Sequence, residues 1–98
     1  MEVVFKDPAL GQIETERAAE TGLPIEVIKS ARRKLIVLRA ASDERALRNW
    51  KSLYYKKLKG DRIGQKSIRV NRKYRIVFTL DSDADPQVAT ILAIEDYH

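Results

Sequence analysis

Arg69 and Arg75 are the residues that parity best places for phosphate chemistry. Ser67-Ile68-Arg69-Val70 and Tyr74-Arg75-Ile76-Val77-Phe78-Thr79-Leu80 both alternate with a period of two, which predicts two strands. Side chains along a strand point to opposite faces in turn, so Ile68 and Val70 share one face, as do Tyr74, Ile76 and Phe78. Arg69 and Arg75 then project from the other face, expected to be exposed. A planar guanidinium bonds two oxygens of one phosphate at once, and two of them on a rigid sheet suit that task. Exposed sheet faces also carry arginine for solubility alone, and parity does not choose between these readings.

The charge around the pair is lopsided. Between Lys29 and Arg75 lie 17 Lys or Arg residues and three acids, a charge of +14, whereas the rest of the chain carries −9. Such segregation suggests a polyanion partner. Trp50, Tyr54 and Tyr55 lie inside the basic stretch, where bases can stack on aromatic rings. Trp50 and Tyr54 are expected in the core instead, and Tyr55 is open. His98 is the one histidine. Its imidazole ordinarily titrates near ~6.5 and can give and take protons, although a last residue is by default frayed. Asp81, Asp83 and Asp85 have calcium-loop spacing, but Pro86 and Leu92 stand where that loop needs Gly and Glu, so an acidic hairpin loop is expected. The basic region has too few acids to hold a catalytic metal, which leaves metal-free chemistry.

The elements that must hold these residues follow from the pattern. The 98 residues suffice for one domain, 1–98. Asp7-Pro8 reads as a helix start and Gly22 as its end, giving a helix over roughly 8–21. Val27, Ile28, Ala31, Leu35 and Leu38 recur at helical spacing, predicting a second helix over 24–41, and Ser42-Asp43 is a cap for a short third one reaching Trp50. Strands are expected near 66–70, 74–80 and 88–95, with Tyr54–Leu58 a candidate for a further one. Asn71-Arg72-Lys73 supplies a tight hairpin turn. Helices followed by strands make an α+β layout with an antiparallel sheet covered on one face. Ile28, Leu35, Leu38, Ile68, Val70, Ile76 and Phe78 are the expected core. The absence of cysteine fits a reducing cytosol. No signal peptide is read at the N-terminus, and no apolar run approaches the ~18–20 residues a membrane span needs. A cytoplasmic location is expected, with no membrane partner.

Several blocks also resemble a family. Leu58-Lys59-Gly60-Asp61-Arg62, Gly64, Ser67-Ile68-Arg69-Val70-Asn71, Tyr74-Arg75-Ile76-Val77-Phe78 and Asp96-Tyr97-His98 look like the signature of HigB-type toxins of the RelE/ParE superfamily. The likeness covers about the last 45 residues closely, and the N-terminal half only as two helices of suitable length. It implies a compact RelE-like fold, two helices packed on a curved antiparallel sheet of about four strands. It implies a ribosome-dependent endoribonuclease that cuts mRNA by attack of the substrate's own 2′-hydroxyl, with no cofactor and no metal. Its implied partners are the ribosome, mRNA and a HigA-like helix-turn-helix antitoxin. Carried over by position, Lys59, Arg69, Arg75, Tyr97 and His98 are the catalytic candidates, with Asp96 supporting. Lys56, Lys57, Arg62, Lys66, Arg72, Lys73 and Tyr55 are the expected RNA contacts. Two positions depart from the pattern: Lys56 stands where the family often has histidine, and Lys66 where it has an aromatic residue. The competing readings are a gyrase inhibitor of the ParE kind and a non-catalytic basic binding module descended from a toxin.

Overall fold

The computed structural model describes residues 1–96; Tyr97 and His98 lie outside them. The chain is α+β. Strand β1, Glu2–Phe5, leads into a short helix α1, Pro8–Gly11, and two single 3-10 turns at Gln12–Glu14 and Ala18–Thr21. The long helix α2 runs Ile25–Ala40 and α3 runs Glu44–Asn49. Strands β2 (Lys56–Lys57), β3 (Lys66–Arg69), β4 (Tyr74–Asp81) and β5 (Val88–Asp96) complete a five-stranded sheet in the order β1-β5-β4-β3-β2.

Two expectations need correction. The helix over 8–21 is broken, because Thr15 is extended (φ −116°, ψ 175°) and its hydroxyl turns back to bond the Gln12 carbonyl at 2.8 Å. A side chain that bonds nearby backbone competes with continued helix. Asp7 still caps α1, accepting from the Ala9 amide at 2.9 Å. The sheet is also mixed, since β1 pairs with β5 in parallel, Glu2 opposite Val88 and Phe5 opposite Ile91.

The core lies between the helices and one face of the sheet. Val27, Ile28, Ala31, Leu35 and Leu38 of α2 pack with Leu47, Leu53, Ile68, Val70, Ile76, Phe78, Ala89, Ile91 and Ile94. All seven expected core residues are buried. A bulge in β5 keeps this face apolar. Val77 pairs with Ala93 but Phe78 pairs with Ile91, so Leu92 is the extra residue. That one insertion lets Ile91 and Ile94, three apart, both point at the helices. Arg32 fastens α2 to the broken N-terminal segment, donating to the carbonyls of Ile13 (2.6 Å) and Thr15 (2.7 Å). Ser30 Oγ donates to the Val70 carbonyl at 2.6 Å, which fixes α2 against the end of β3. No helix among the described residues is long and apolar enough to cross a membrane.

Candidate active site

The register of the sheet assembles the site on the face away from the helices. Arg69 of β3 pairs with Arg75 of β4, and Arg75 pairs with Glu95 of β5. Directly opposed residues share a face, so Ser67, Arg69, Arg75, Val77 and Glu95 stand together. The parity expectation is correct, but the exposed position it gave Arg75 is not. Arg75 is only 8% exposed, and Val77 and Ser67 beside it are fully buried. The segment between α3 and β3 covers this face. From it the Tyr54 carbonyl accepts a bond from Arg75 Nη2, while Arg75 Nε donates to Ser67 Oγ at 2.8 Å. Both acceptors are neutral, and together they fix the direction of the guanidinium.

Arg69 is half-buried at the rim. Its Nε donates to the Asn71 carbonyl at 3.2 Å, and its guanidinium lies over the Tyr54 ring, 4.6 Å from the centroid. Like charges opposed across a ladder repel, and the scaffold holds them there anyway. An anion placed between them would relieve that repulsion. Tyr54 touches both arginines and was expected in the core. It is 54% exposed, with Trp50 at 50%, because Leu47 and Leu53 take the inward positions. Tyr54 is also the one described non-glycine residue with positive φ, 48°, a left-handed conformation costing roughly 1–2 kcal/mol for an L-residue. The adjacent Tyr-Tyr pair in a basic stretch was the only sequence signal for it.

The other candidates divide. Lys56 pairs with Ser67 and so shares the face of the arginines. Lys57 pairs with Lys66, and both take the helix-side parity. There, with Arg45, Arg48, Asp43 and Glu44, they line a separate cleft of about 650 Å³. Tyr55 is half-buried, and its hydroxyl donates to the Glu44 carboxylate. That bond, then the charges of Lys57, Arg48 and Lys66, hold Glu44 below the usual carboxylate range. Burial first, then Glu44, pushes the Tyr55 phenol well above its ordinary value. Arg62 is tied down rather than presented to solvent: its Nη2 meets Glu95 at 2.5 Å. Since Glu95 flanks Arg75, this ion pair carries the turn at Gly60–Arg62, and Lys59 before it, to the rim of the same face. Lys59 itself is exposed. Gly60 (φ 69°) and Gly64 (φ 91°) let the loop reverse twice, a conformation that other residues adopt only under strain.

Arg72 and Lys73 are exposed at the β3–β4 hairpin. Asn71 Oδ1 shapes that turn, accepting from the amides of Lys73 (2.9 Å) and Tyr74 (2.8 Å). Asp96 pairs with Tyr74, so its parity is that of Ile76 rather than of Arg75. Tyr97 and His98 fall outside the described residues. Among the described residues no cluster of three or more acids or histidines is placed to hold a metal.

Comparison with known proteins identifies the frame in which these residues sit. Residues 3–98 match the family model of the HigB-like toxin, a RelE-like toxin of type II toxin–antitoxin systems. No curated protein matches the chain. Among solved structures, the YoeB/ParE toxin from Agrobacterium tumefaciens superposes with a TM-score of 0.61 at 16% identity, over 100% of both chains. The toxin fold in the YoeB-YefM complex from Staphylococcus aureus gives 0.56 at 19% identity, covering 100% of this chain and 97% of that one. The toxin–antitoxin complex RelBE2 from Mycobacterium tuberculosis gives 0.52 at 18% identity, covering 98% and 96%. At these identities the superpositions establish the fold, and the family match across nearly the whole chain establishes the rest: this chain belongs to the HigB-like toxins, the RelE-like toxins of type II toxin–antitoxin systems.

Proposed function

We propose that the chain is a ribosome-dependent endoribonuclease that cuts mRNA without a metal. The observation that carries this reading is the Arg69–Arg75 pair, held on one sheet face with Arg75 aimed by two neutral acceptors. In the proposed reaction the substrate's 2′-oxygen attacks the adjacent phosphorus. The bond from phosphorus to the 5′-oxygen breaks, leaving a 2′,3′-cyclic phosphate and a 5′-hydroxyl. One proton leaves the 2′-hydroxyl and one must reach the departing 5′-oxygen. Arg75 and Arg69 stabilise the charge that builds on the phosphoryl oxygens, and Lys59 and Lys56 at the rim hold the flanking backbone. Tyr97 and His98, directly after β5, are assigned the proton transfers, with Asp96 in support.

The partners in this reading are the ribosome, mRNA and a HigA-like helix-turn-helix antitoxin. The Staphylococcus aureus and Mycobacterium tuberculosis structures are of toxin–antitoxin complexes, which supports an antitoxin as a partner. The +14 stretch predicts an acidic antitoxin segment whose association slows as salt rises. The test is induced expression with mapping of mRNA 5′ ends. Cuts in register with codons on translated messages are expected. Breaks in DNA with intact mRNA would replace this reading with gyrase inhibition, and intact mRNA and DNA would leave a binding module.

A further inference from the structure

We propose that Tyr54 is the positioning residue of the site, setting Arg69 and Arg75 in one fixed relation so that both address a single phosphate; this rests on the ribonuclease reading. Its backbone carbonyl accepts from Arg75 Nη2, and its ring lies under the Arg69 guanidinium at 4.6 Å. One residue thus holds both cations, by two different groups. The left-handed φ of 48° is what this double duty requires. It turns the carbonyl inward to Arg75 while the ring stays outside, 54% exposed, beneath Arg69. Strained backbone of this kind persists where its surroundings over-determine it, and here the two arginines do so.

Arg69 needs such a hold more than Arg75 does. Arg75 is buried and anchored by Ser67 as well, whereas among the described residues Arg69 is otherwise fixed only by its Nε bond to the Asn71 carbonyl. Among the described residues the two terminal nitrogens of Arg69 have no hydrogen-bond acceptor. They are the ones left to bond a phosphate, and the stacked ring sets their plane. The cation–π contact is therefore an orienting contact, and the phenol hydroxyl has no part in it.

Glycine at this position keeps the carbonyl, suits the positive φ and removes only the ring, so Tyr54→Gly isolates the proposed role with little risk to folding. Single-turnover cleavage of programmed ribosomes by Tyr54→Gly is expected to be about tenfold slower, with Tyr54→Phe restoring most of the rate. In an Arg69→Ala background, adding Tyr54→Gly should change nothing further, since the ring acts through Arg69. Losses that multiply instead would mean that the ring meets RNA directly, and would overturn the proposal, as would wild-type cleavage by Tyr54→Gly or a loss in Tyr54→Phe as large as in the glycine variant. A second readout is independent of cleavage: the NMR order parameter of the Arg69 Nε–H should fall in Tyr54→Gly and persist in Tyr54→Phe. An unchanged order parameter would refute the positioning role even if the wild-type protein cut no RNA. A fall in order parameter with no wild-type cleavage would uphold the positioning and reject the ribonuclease reading.

Discussion

Replacing Arg75 by alanine should damage stability and chemistry together, and the structure sets the size of each. Ser67 Oγ is fully buried and takes its bond from Arg75 Nε, and the Tyr54 carbonyl takes one from Nη2. Stripping the donor from a buried acceptor costs about 1–3 kcal/mol. Water entering the vacated space and the relief of repulsion with Arg69 offset part of that, so a net loss of about 2 kcal/mol is expected. In a chain of this size that lowers the melting temperature by roughly 8–16 °C. Loss of a preorganised donor at the developing charge costs a further ~2.7–4 kcal/mol in the transition state, about 10²–10³ in rate. Arg75→Lys keeps the charge but can reach only one acceptor at a time, so it should fall between alanine and wild type in both measurements. The assay is single-turnover cleavage of programmed ribosomes at saturating toxin, well below the melting temperature recorded for the same sample by circular dichroism. A folded Arg75→Ala protein cutting at the wild-type rate would refute the assignment of this arginine to the phosphate.

Four other outcomes follow from the same geometry. Lys56→Ala should weaken RNA binding and lower its salt slope by about 0.7–0.9, the value of one lost phosphate contact, whereas Lys57→Ala on the opposite face should leave cleavage kinetics nearly unchanged. Tyr55→Phe should cost about 1 kcal/mol between roughly pH 5 and pH 10, a figure reduced for the partial exposure of Glu44. Glu44 is depressed in the fold, so its contribution is present above its unfolded value and fades as pH falls through the folded one. Tyr55 is raised, so its contribution is present below ~10 and fades as pH rises further. Urea unfolding of both proteins across pH checks this, and an equal difference at pH 3 and pH 7 contradicts it. Phe78→Ala, at a fully buried position, should cost ~3–5 kcal/mol and leave little folded protein at 37 °C, which calorimetry would detect. Deleting His98 should slow cleavage strongly at an unchanged melting temperature, and unchanged cleavage would remove the terminus from the mechanism.

What could be read from the residues alone was whatever is local and periodic. α2 announces itself through five buried positions at helical spacing, and β3 and β4 through alternation. The Asn71 turn and the Asp43 cap are short-range chemistry, and both are present, Asp43 accepting from the Ala46 amide at 3.0 Å. β1 escaped because Val3-Val4-Phe5 has no alternation and its partner lies more than 80 residues away. Parity placed Arg69 and Arg75 on one face but could not show that a loop covers that face. Burial there depends on where residues 50–64 travel, and their sequence carries no period. The same gap hid Tyr54, whose role depends on a backbone angle that no residue pattern announces.

The interior place of β5 bears on when the sheet can form. The strand that delivers Glu95 to the site is flanked on one side by β4 and on the other by β1, more than 80 residues earlier in the chain. Until residues 88–96 leave the synthesising ribosome, β1 has no partner and the core lacks Ala89, Ile91 and Ile94. Pairing between such distant segments is slow to nucleate, because the whole intervening chain must be closed first. A nascent chain therefore carries its arginines before β5 is there to organise them.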